Sequence, residues 1–178
     1  MKEGNKVSIF DTNIFLIGLD FNIIPGRIYT THNVIEEIEV KKYLEKNRNI
    51  LNRIHAAVVT KKLILRHPSD KYVFLIEEKS KKTGDYKALS EVDRELLALC
   101  LEIMEQEKGE VVFYSNDYSL LNVCSELSIA YSSIGKEGIK KKIMWDVYCP
   151  FCNISYKAED LNKICERCGT KLKRKPKK

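Results

Sequence analysis

The sequence lacks any apolar run approaching the roughly 20 residues that a membrane-crossing helix needs, which sets a helical membrane protein aside. It has no internal repeat, and no low-complexity tract before its final residues, so repeat architectures are set aside too. The opening MKEGNKVSIFD meets an acidic residue before a secretory core can form, and the expected location is cytoplasmic. No Walker-type lysine motif occurs, which removes the usual signature of nucleotide hydrolysis. Histidine is scarce, and none of His32, His55 and His67 has a sequence partner that suggests a nucleophilic triad. Six cysteines are present, but not as a disulfide framework. Four crowd into the last 30 residues as two CxxC pairs, and Cys100 and Cys124 lie among leucines and valines. That distribution suits a reducing compartment with one metal site and two inert core thiols.

What is present describes a globular protein: 178 residues, 44% hydrophobic and 31% charged. The charge is unevenly placed. Residues 1–138 carry 19 basic and 21 acidic side chains, whereas residues 139–178 carry 12 and 4. A near-neutral body joined to a basic module points to a polyanionic partner, with a solvated, solubilising tail as the plainer reading of KLKRKPKK.

Short β-branched and aromatic runs at Val7–Phe10, Ile28–Thr30, Val111–Tyr114 and Ile129–Ser132 read as strands. Between them lie stretches of helical period at Asn33–Leu51, Asp70–Glu78, Ser90–Glu107 and Tyr118–Leu127. This alternation predicts an α/β fold with a parallel sheet flanked by helices, whose ligand site lies at the carboxyl ends of the strands. KKTGDYKA reads as a polar loop, and GKEGIKKK as a linker, followed by Ile143 and Trp145 as a docking surface between two modules.

Two of the strands run into aspartate. Asp11 follows Val7–Phe10, and Asp117 follows Val111–Tyr114 through Ser115 and Asn116. Parallel strands ending this way aim both carboxylates into one crevice, although each aspartate also suits a helix N-cap. Asp93 has capping-box spacing from Ser90. At about 100° per residue it shares an inward face with Leu96, Leu97, Cys100 and Met104, leaving Glu91, Glu95, Glu102 and Glu105 toward solvent. In TTHNVIEEIEV both Glu36 and Glu37 are candidates for a fourth acid. Glu37 falls between the directions of Val34 and Leu44 and is preferred, the alternative being a charge on a solvated helix face.

Four carboxylates in one place repel one another, and a divalent cation resolves the conflict. An all-oxygen donor set favours Mg²⁺ or Mn²⁺ over zinc. Such an ion suits phosphodiester hydrolysis.

Near the C-terminus, Cys149, Cys152, Cys165 and Cys168 form C-x₂-C-x₁₂-C-x₂-C, the spacing of a closed, structural Zn²⁺ site. Lys157, Lys163, Arg167, Lys171, Lys173 and Arg174 give this module a cationic surface for RNA. Phe151 is expected in its small core, while Tyr148 and Tyr156 stay open between core filling and stacking on bases.

In order along the chain, FDTNIFL, VIEEI, LSEVDRELLAL and SNDYSLLNV resemble the motifs of the PIN-domain nucleases. The resemblance implies a metal-dependent endoribonuclease whose catalytic acids are Asp11, Glu37, Asp93 and Asp117. Asp11, Asp93 and Asp117 would ligate Mg²⁺ or Mn²⁺, Glu37 would bind the ion or orient water, and Asn13 and Ser115 would be polar supports. A PIN domain followed by a zinc ribbon is similar to the archaeal form of the endoribonucleases that mature the 3′ end of small-subunit rRNA. That similarity implies precursor rRNA in a pre-ribosomal particle as partner, with ribosome-assembly proteins nearby and no membrane. The expected boundaries are a PIN domain over 1–135, a basic linker over 136–147, a zinc ribbon over 148–170 and a basic tail over 171–178. The rival expectations are a toxin-type PIN ribonuclease, a non-catalytic RNA-binding adaptor and a zinc-ribbon transcription factor.

Overall fold

The computed structural model describes residues 6–107, 109–134 and 144–176. The N-terminal body opens with β1 (Val7–Phe10) and a single-turn α1 (Thr12–Leu16), followed by β2 (Arg27–Thr30) and α2 (His32–Ile38). Next come α3 (Leu44–Val59), β3 (Leu63–Leu65), α4 (Asp70–Thr83) and α5 (Glu91–Gln106). The body closes with β4 (Val111–Tyr114), α6 (Tyr118–Glu126) and β5 (Ala130–Ser132). Among the described residues no helix is long and apolar enough to cross a membrane.

The five strands pair in parallel in the order β3-β2-β1-β4-β5. All four residues of β1 are buried, as expected of a central strand covered by helices on both faces. The chain first builds the sheet outward from β1 to β3, then returns to place β4 against the other edge of β1. The order therefore reverses between β1 and β4, and a crevice opens beyond the carboxyl ends of those strands. Phe10, Phe15 and Phe21 stack edge to face beneath that end, with Phe10 also edge-on to Tyr114. Cys100 and Cys124 lie in the same core, where burial pushes both thiols up and leaves them protonated and inert at neutral pH.

The element boundaries follow local signals. Thr31 caps α2 through the Val34 amide, and Ser90 and Asp93 form a reciprocal capping box at the start of α5. α4 runs five residues beyond its expected end and stops at Gly84, which has φ 80°. A Cβ there would lie 2.5 Å from the Trp145 carbonyl oxygen, so glycine is required both by the backbone and by the close approach of the second module.

Several expectations need correction. The helix expected over Asn33–Leu51 is two helices, broken between Ile38 and Leu44. The Asn47 side-chain amide donates to the Ile38 carbonyl across the break and satisfies one free end. β3 was not expected; it is a three-residue edge strand, too short for a periodic signal. Glu95 and Glu102, assigned to solvent, are each only 6% exposed, while Met104, assigned inward, is 37% exposed. Both glutamates are drawn in by partners from elsewhere in the chain: Asn33 and His67 for Glu95, Arg66 and the Ser69 amide for Glu102.

The second module is an antiparallel sheet in the order β7-β6-β8, formed by β6 (Trp145–Tyr148), β7 (Ser155–Tyr156) and β8 (Lys173–Pro176). Its core is Val147, Leu161 and Leu172 packed with the cysteines. The expected linker falls largely on residues 135–143, which lie outside the described residues, and its last part belongs to β6. The expected tail likewise supplies β8, because Lys173–Pro176 pairs with Trp145–Tyr148. Phe151, expected in the core, is 78% exposed. It sits between Cys149 and Cys152, and a turn that aims both sulfurs inward leaves the intervening side chain outside.

Candidate active site and zinc ribbon

The register of β1 and β4 builds the floor of the crevice. Phe10 pairs with Tyr114, and the Asp11 amide donates to the Tyr114 carbonyl, so Asp11 and Ser115 emerge side by side. Ser115 Oγ donates to Asp11 Oδ2 at 2.7 Å, and Asn13 Nδ2 donates to the same oxygen at 2.6 Å. The Thr12 amide takes Oδ1 at 2.6 Å. Asn13 Oδ1 accepts from the Asn116 amide, and Ser115 Oγ accepts from the Asp117 amide at 3.0 Å. Asn13 and Ser115 thus tie the turn after β1 to the turn after β4.

The other acids stand around Asp11. Asp117 lies on the exposed rim and caps α6 through the Ser119 amide at 2.7 Å. Asp93 is half-buried at the start of α5, its Oδ2 accepting from the Ser90 amide at 2.8 Å. Glu37 is exposed on α2 and accepts from Thr12 Oγ1 at 2.6 Å, which joins it to the Asp11 turn. Glu36 lines a separate groove with His32, Ile35, Glu39 and His55. Asp93 and Asp117 thus both cap helices, and both lie near enough to Asp11 for their charges to raise its carboxyl. Thr12, not singled out from the sequence, links two of the chosen acids; its only signal was its place between Asp11 and Asn13.

The electrostatics of the cup are strained in one direction. Burial pushes the Asp11 carboxyl up most strongly. The Ser115 hydroxyl and Thr12 amide pull it down, and the charges of Asp93 and Asp117 push it up again, to about 6. Among the described residues none of the four acids has an ion-pair partner: their hydrogen-bond donors are Asn, Ser and Thr side chains and backbone amides. An all-oxygen, partly buried anionic cup with neutral supports fits a hard divalent cation.

The ribbon holds a different donor set. The sulfurs of Cys149, Cys152, Cys165 and Cys168 all lie within 4.8 Å of one another, the one such group among the described residues. The Cys152 amide points at Cys149 Sγ (3.3 Å), and the Tyr156 hydroxyl lies 3.1 Å from Cys165 Sγ. Four thiols this close fit a tetrahedral Zn²⁺ site with no open position. Tyr156 is thus committed to the sulfur cluster, and Tyr148 lies under the Lys175 ammonium, 4.3 Å from its ring centroid.

The expected RNA-binding residues divide. Lys157, Arg167, Lys171 and Lys173 are exposed. Lys163 is also exposed, but its ammonium is 2.8 Å from Asp160. Arg174 is placed differently: it lines a groove with Lys171 and Lys173, but its guanidinium is engaged within the protein. It pairs with the fully buried Asp85 at 2.8 Å, donates to Ser119 Oγ at 3.3 Å, and stacks its guanidinium 4.4 Å from the Trp145 ring centroid. Asn122 donates to the other Asp85 oxygen at 2.6 Å. The Gly84-Asp85 turn, read from sequence as a polar loop, is the socket in which the ribbon docks. Ser119 carries this contact toward the cup, since its amide caps on Asp117.

A family model described as the PIN domain of ribonuclease matches residues 8–103, more than half the chain. The chain belongs to the PIN-domain ribonucleases. Within that family it is 34% identical to Endoribonuclease Nob1 of Methanocaldococcus jannaschii, over 96% of this chain and 78% of that one. It is 32% identical to Endoribonuclease Nob1 of Pyrococcus abyssi, over 96% of this chain and 94% of the relative. Ribonuclease VapC1 of Thermoplasma acidophilum is 28% identical over 94% of this chain and 77% of its own length. As a PIN-domain ribonuclease the chain is a nuclease of a class that generally uses divalent metals and acts on RNA.

Proposed function

We propose that the protein is a divalent-metal-dependent endoribonuclease that cleaves precursor small-subunit rRNA during ribosome assembly. The single observation that carries the chemistry is the crevice itself, where the charges of Asp93 and Asp117 reach a buried Asp11 that has no ion-pair partner among the described residues, and Glu37 joins the same turn through Thr12. Asp11, Asp93 and Asp117 hold Mg²⁺ or Mn²⁺ in this reading. When bound, the ion neutralises phosphate charge and makes water a better nucleophile. Asn13 and Ser115 fix the Asp11 carboxylate so that its oxygens need not reorganise when the ion arrives. Glu37, held by Thr12 at the solvent rim, accepts a proton from the attacking water or orients it. In-line attack leaves 5′-phosphate and 3′-hydroxyl ends.

The ribbon, held together by Zn²⁺, supplies cationic surface that adds salt-sensitive affinity for RNA. The rRNA assignment rests on the motif order together with two relatives that are more than 30% identical over 96% of this chain, both named Endoribonuclease Nob1. The toxin-type reading is kept as the rival because a relative named simply as a ribonuclease, Ribonuclease VapC1, aligns over 94% of this chain. Ribosome-assembly proteins and a cytoplasmic location complete the proposal.

The test is incubation of the wild type and Asp11→Asn with precursor small-subunit rRNA, with and without Mn²⁺, and mapping of the ends. The proposal expects metal-dependent cleavage at the 3′ boundary by the wild type only. Equal cleavage by Asp11→Asn would remove the cup from the chemistry. Cleavage of messenger or transfer RNA in preference to the precursor would favour the toxin-type reading.

A further inference from the structure

The ribbon carries lysines on two faces, and their surroundings differ. On one face Lys157 and Lys163 line a shallow pocket together with Glu159 and Asp160, and the Lys163–Asp160 pair neutralises part of it. On the other, Lys171 and Lys173 line a groove of about 530 Å³ whose opposite wall is Lys87 and Ala88 of the connection between α4 and α5. No carboxylate lines this groove. Asp85, two positions before Lys87, is fully buried and already held by Arg174 and Asn122, so it does not offset the lysines.

Lys87, Lys171 and Lys173 are all exposed, and among the described residues none has an ion-pair partner. Lys87 has only the Tyr86 ring, 5.6 Å from its ammonium. Like charges gathered on the walls of a groove raise the local potential and favour a polyanion over any monovalent counter-ion. The groove also has a direction. Lys87 and Ala88 run through Leu89 into Ser90, whose amide holds the Asp93 carboxylate in the cup. The Arg174–Asp85 pair sets the distance between the walls.

We propose that this interdomain groove, through Lys87, Lys171 and Lys173, is the seat for the phosphate backbone of the RNA strand that enters the cup. The proposal rests on the ribonuclease reading and specifies where its substrate lies. It ranks the groove above the Lys157–Lys163 face as the source of electrostatic affinity.

The experiment measures binding of a single-stranded RNA as a function of salt, in an Asp11→Asn background so that binding is separated from cleavage. The Lys87→Ala/Lys171→Ala/Lys173→Ala triple variant should weaken binding at low salt. It should also lower the slope of log K against log salt by about 2, at roughly 0.7 per lost single-strand phosphate contact. The corresponding Lys→Arg triple should restore both, and Lys157→Ala/Lys163→Ala should change the slope by less. An unchanged slope in the alanine triple, or a larger change on the Lys157–Lys163 side, overturns the groove. If Asp11-containing protein still cleaves RNA in that case, the ribonuclease reading survives the loss. If the wild type neither binds nor cleaves RNA, that reading falls, and the groove falls with it.

Discussion

Outside the crevice, buried carboxylates are matched with a cationic or titratable group of the protein. Asp85 meets Arg174, Glu102 meets Arg66, and Glu95 meets His67. In the cup, Asp11 is just as inaccessible, at 5% exposure, yet its partners are a serine, an asparagine and an amide, with two further aspartates close enough to push its carboxyl up. One fold thus handles the same problem in two ways. Where a carboxylate serves the structure, the chain brings a basic residue to it. Where it does not, the chain brings more acid and holds it with neutral donors, which leaves room for an ion from solution.

The contrast breaks most visibly at Asp11. Asp11→Asn removes charge from the cup but retains the size of the side chain, so the body should fold while cleavage falls by more than about a hundredfold. That bound follows because losing a residue that merely supports a metal ligand already costs roughly 10–100-fold. End-labelled RNA at saturating Mn²⁺ measures it. A variant retaining a tenth of wild-type activity would place Asp11 among the structural carboxylates after all.

The thiol cluster sharpens the comparison in another way. The cup is assembled from four elements and should persist without its ion, whereas the ribbon has a core of Val147, Leu161 and Leu172 around the sulfurs. A core of that size does not fold a module alone. A chelator that strips the metal Cys149, Cys152, Cys165 and Cys168 would hold should therefore unfold residues 145–176 and leave the parallel sheet intact. Amide exchange reads both at once: protection should vanish in β6 and β8 and remain in β1 and β4. Uniform loss across both modules would show that the two fold as one unit.

How far these features could be read in advance depended on where each partner lay. The strands at Val7–Phe10 and Val111–Tyr114 were legible to the residue, because a buried central strand is a continuous apolar run and each ends at a polar turn. The Cys positions were legible from spacing alone, since each CxxC is local. Glu95 and Glu102 were not, because a helical wheel knows only its own helix and Arg66 and His67 arrive from the segment after β3. The pairing of Arg174 is not legible either, because its sequence neighbours are lysines and Asp85 lies 89 residues earlier. Glu37 and Glu36 differ in direction on the helical wheel, and the Thr12 hydroxyl that bonds Glu37 has no periodic signature.

Arg174→Ala tests the structural class directly. It leaves Asp85 buried with no guanidinium and should cost about 3 kcal/mol of stability, as removal of one member of a buried pair does. It should also loosen the ribbon from the body. Asp85→Asn in the same chain should recover a large part of that loss, because the charge that the guanidinium offset is gone too. Denaturant titration of the single and double variants checks it, and a double variant no better than Arg174→Ala would mean that the contact with Trp145 and Ser119 matters more than the charge.

The smallest effect belongs to Glu102, and it carries a pH signature that the cup cannot share. Burial raises its carboxyl, but the Ser69 amide, Arg66 and Gln106 outweigh burial and hold it below its ordinary value of 4.5. A carboxyl lowered in the folded state contributes stability that is fully present above 4.5 and is lost as the pH falls through the lowered value. Glu102→Gln should accordingly cost about 1 kcal/mol at neutral pH, and the gap from wild type should close as the pH falls from 4.5 through the lowered value. For Asp11 the sign is reversed: its carboxyl is raised, so in metal-free protein its ionisation destabilises the fold, increasingly so as the pH rises from 3.8 through about 6. With rising pH, Glu102→Gln should therefore fall behind wild type up to pH 4.5, whereas Asp11→Asn should gain on wild type from pH 3.8 to about 6. A parallel response would mean that the two carboxylates belong to one class, and that the cup is not waiting for a cation.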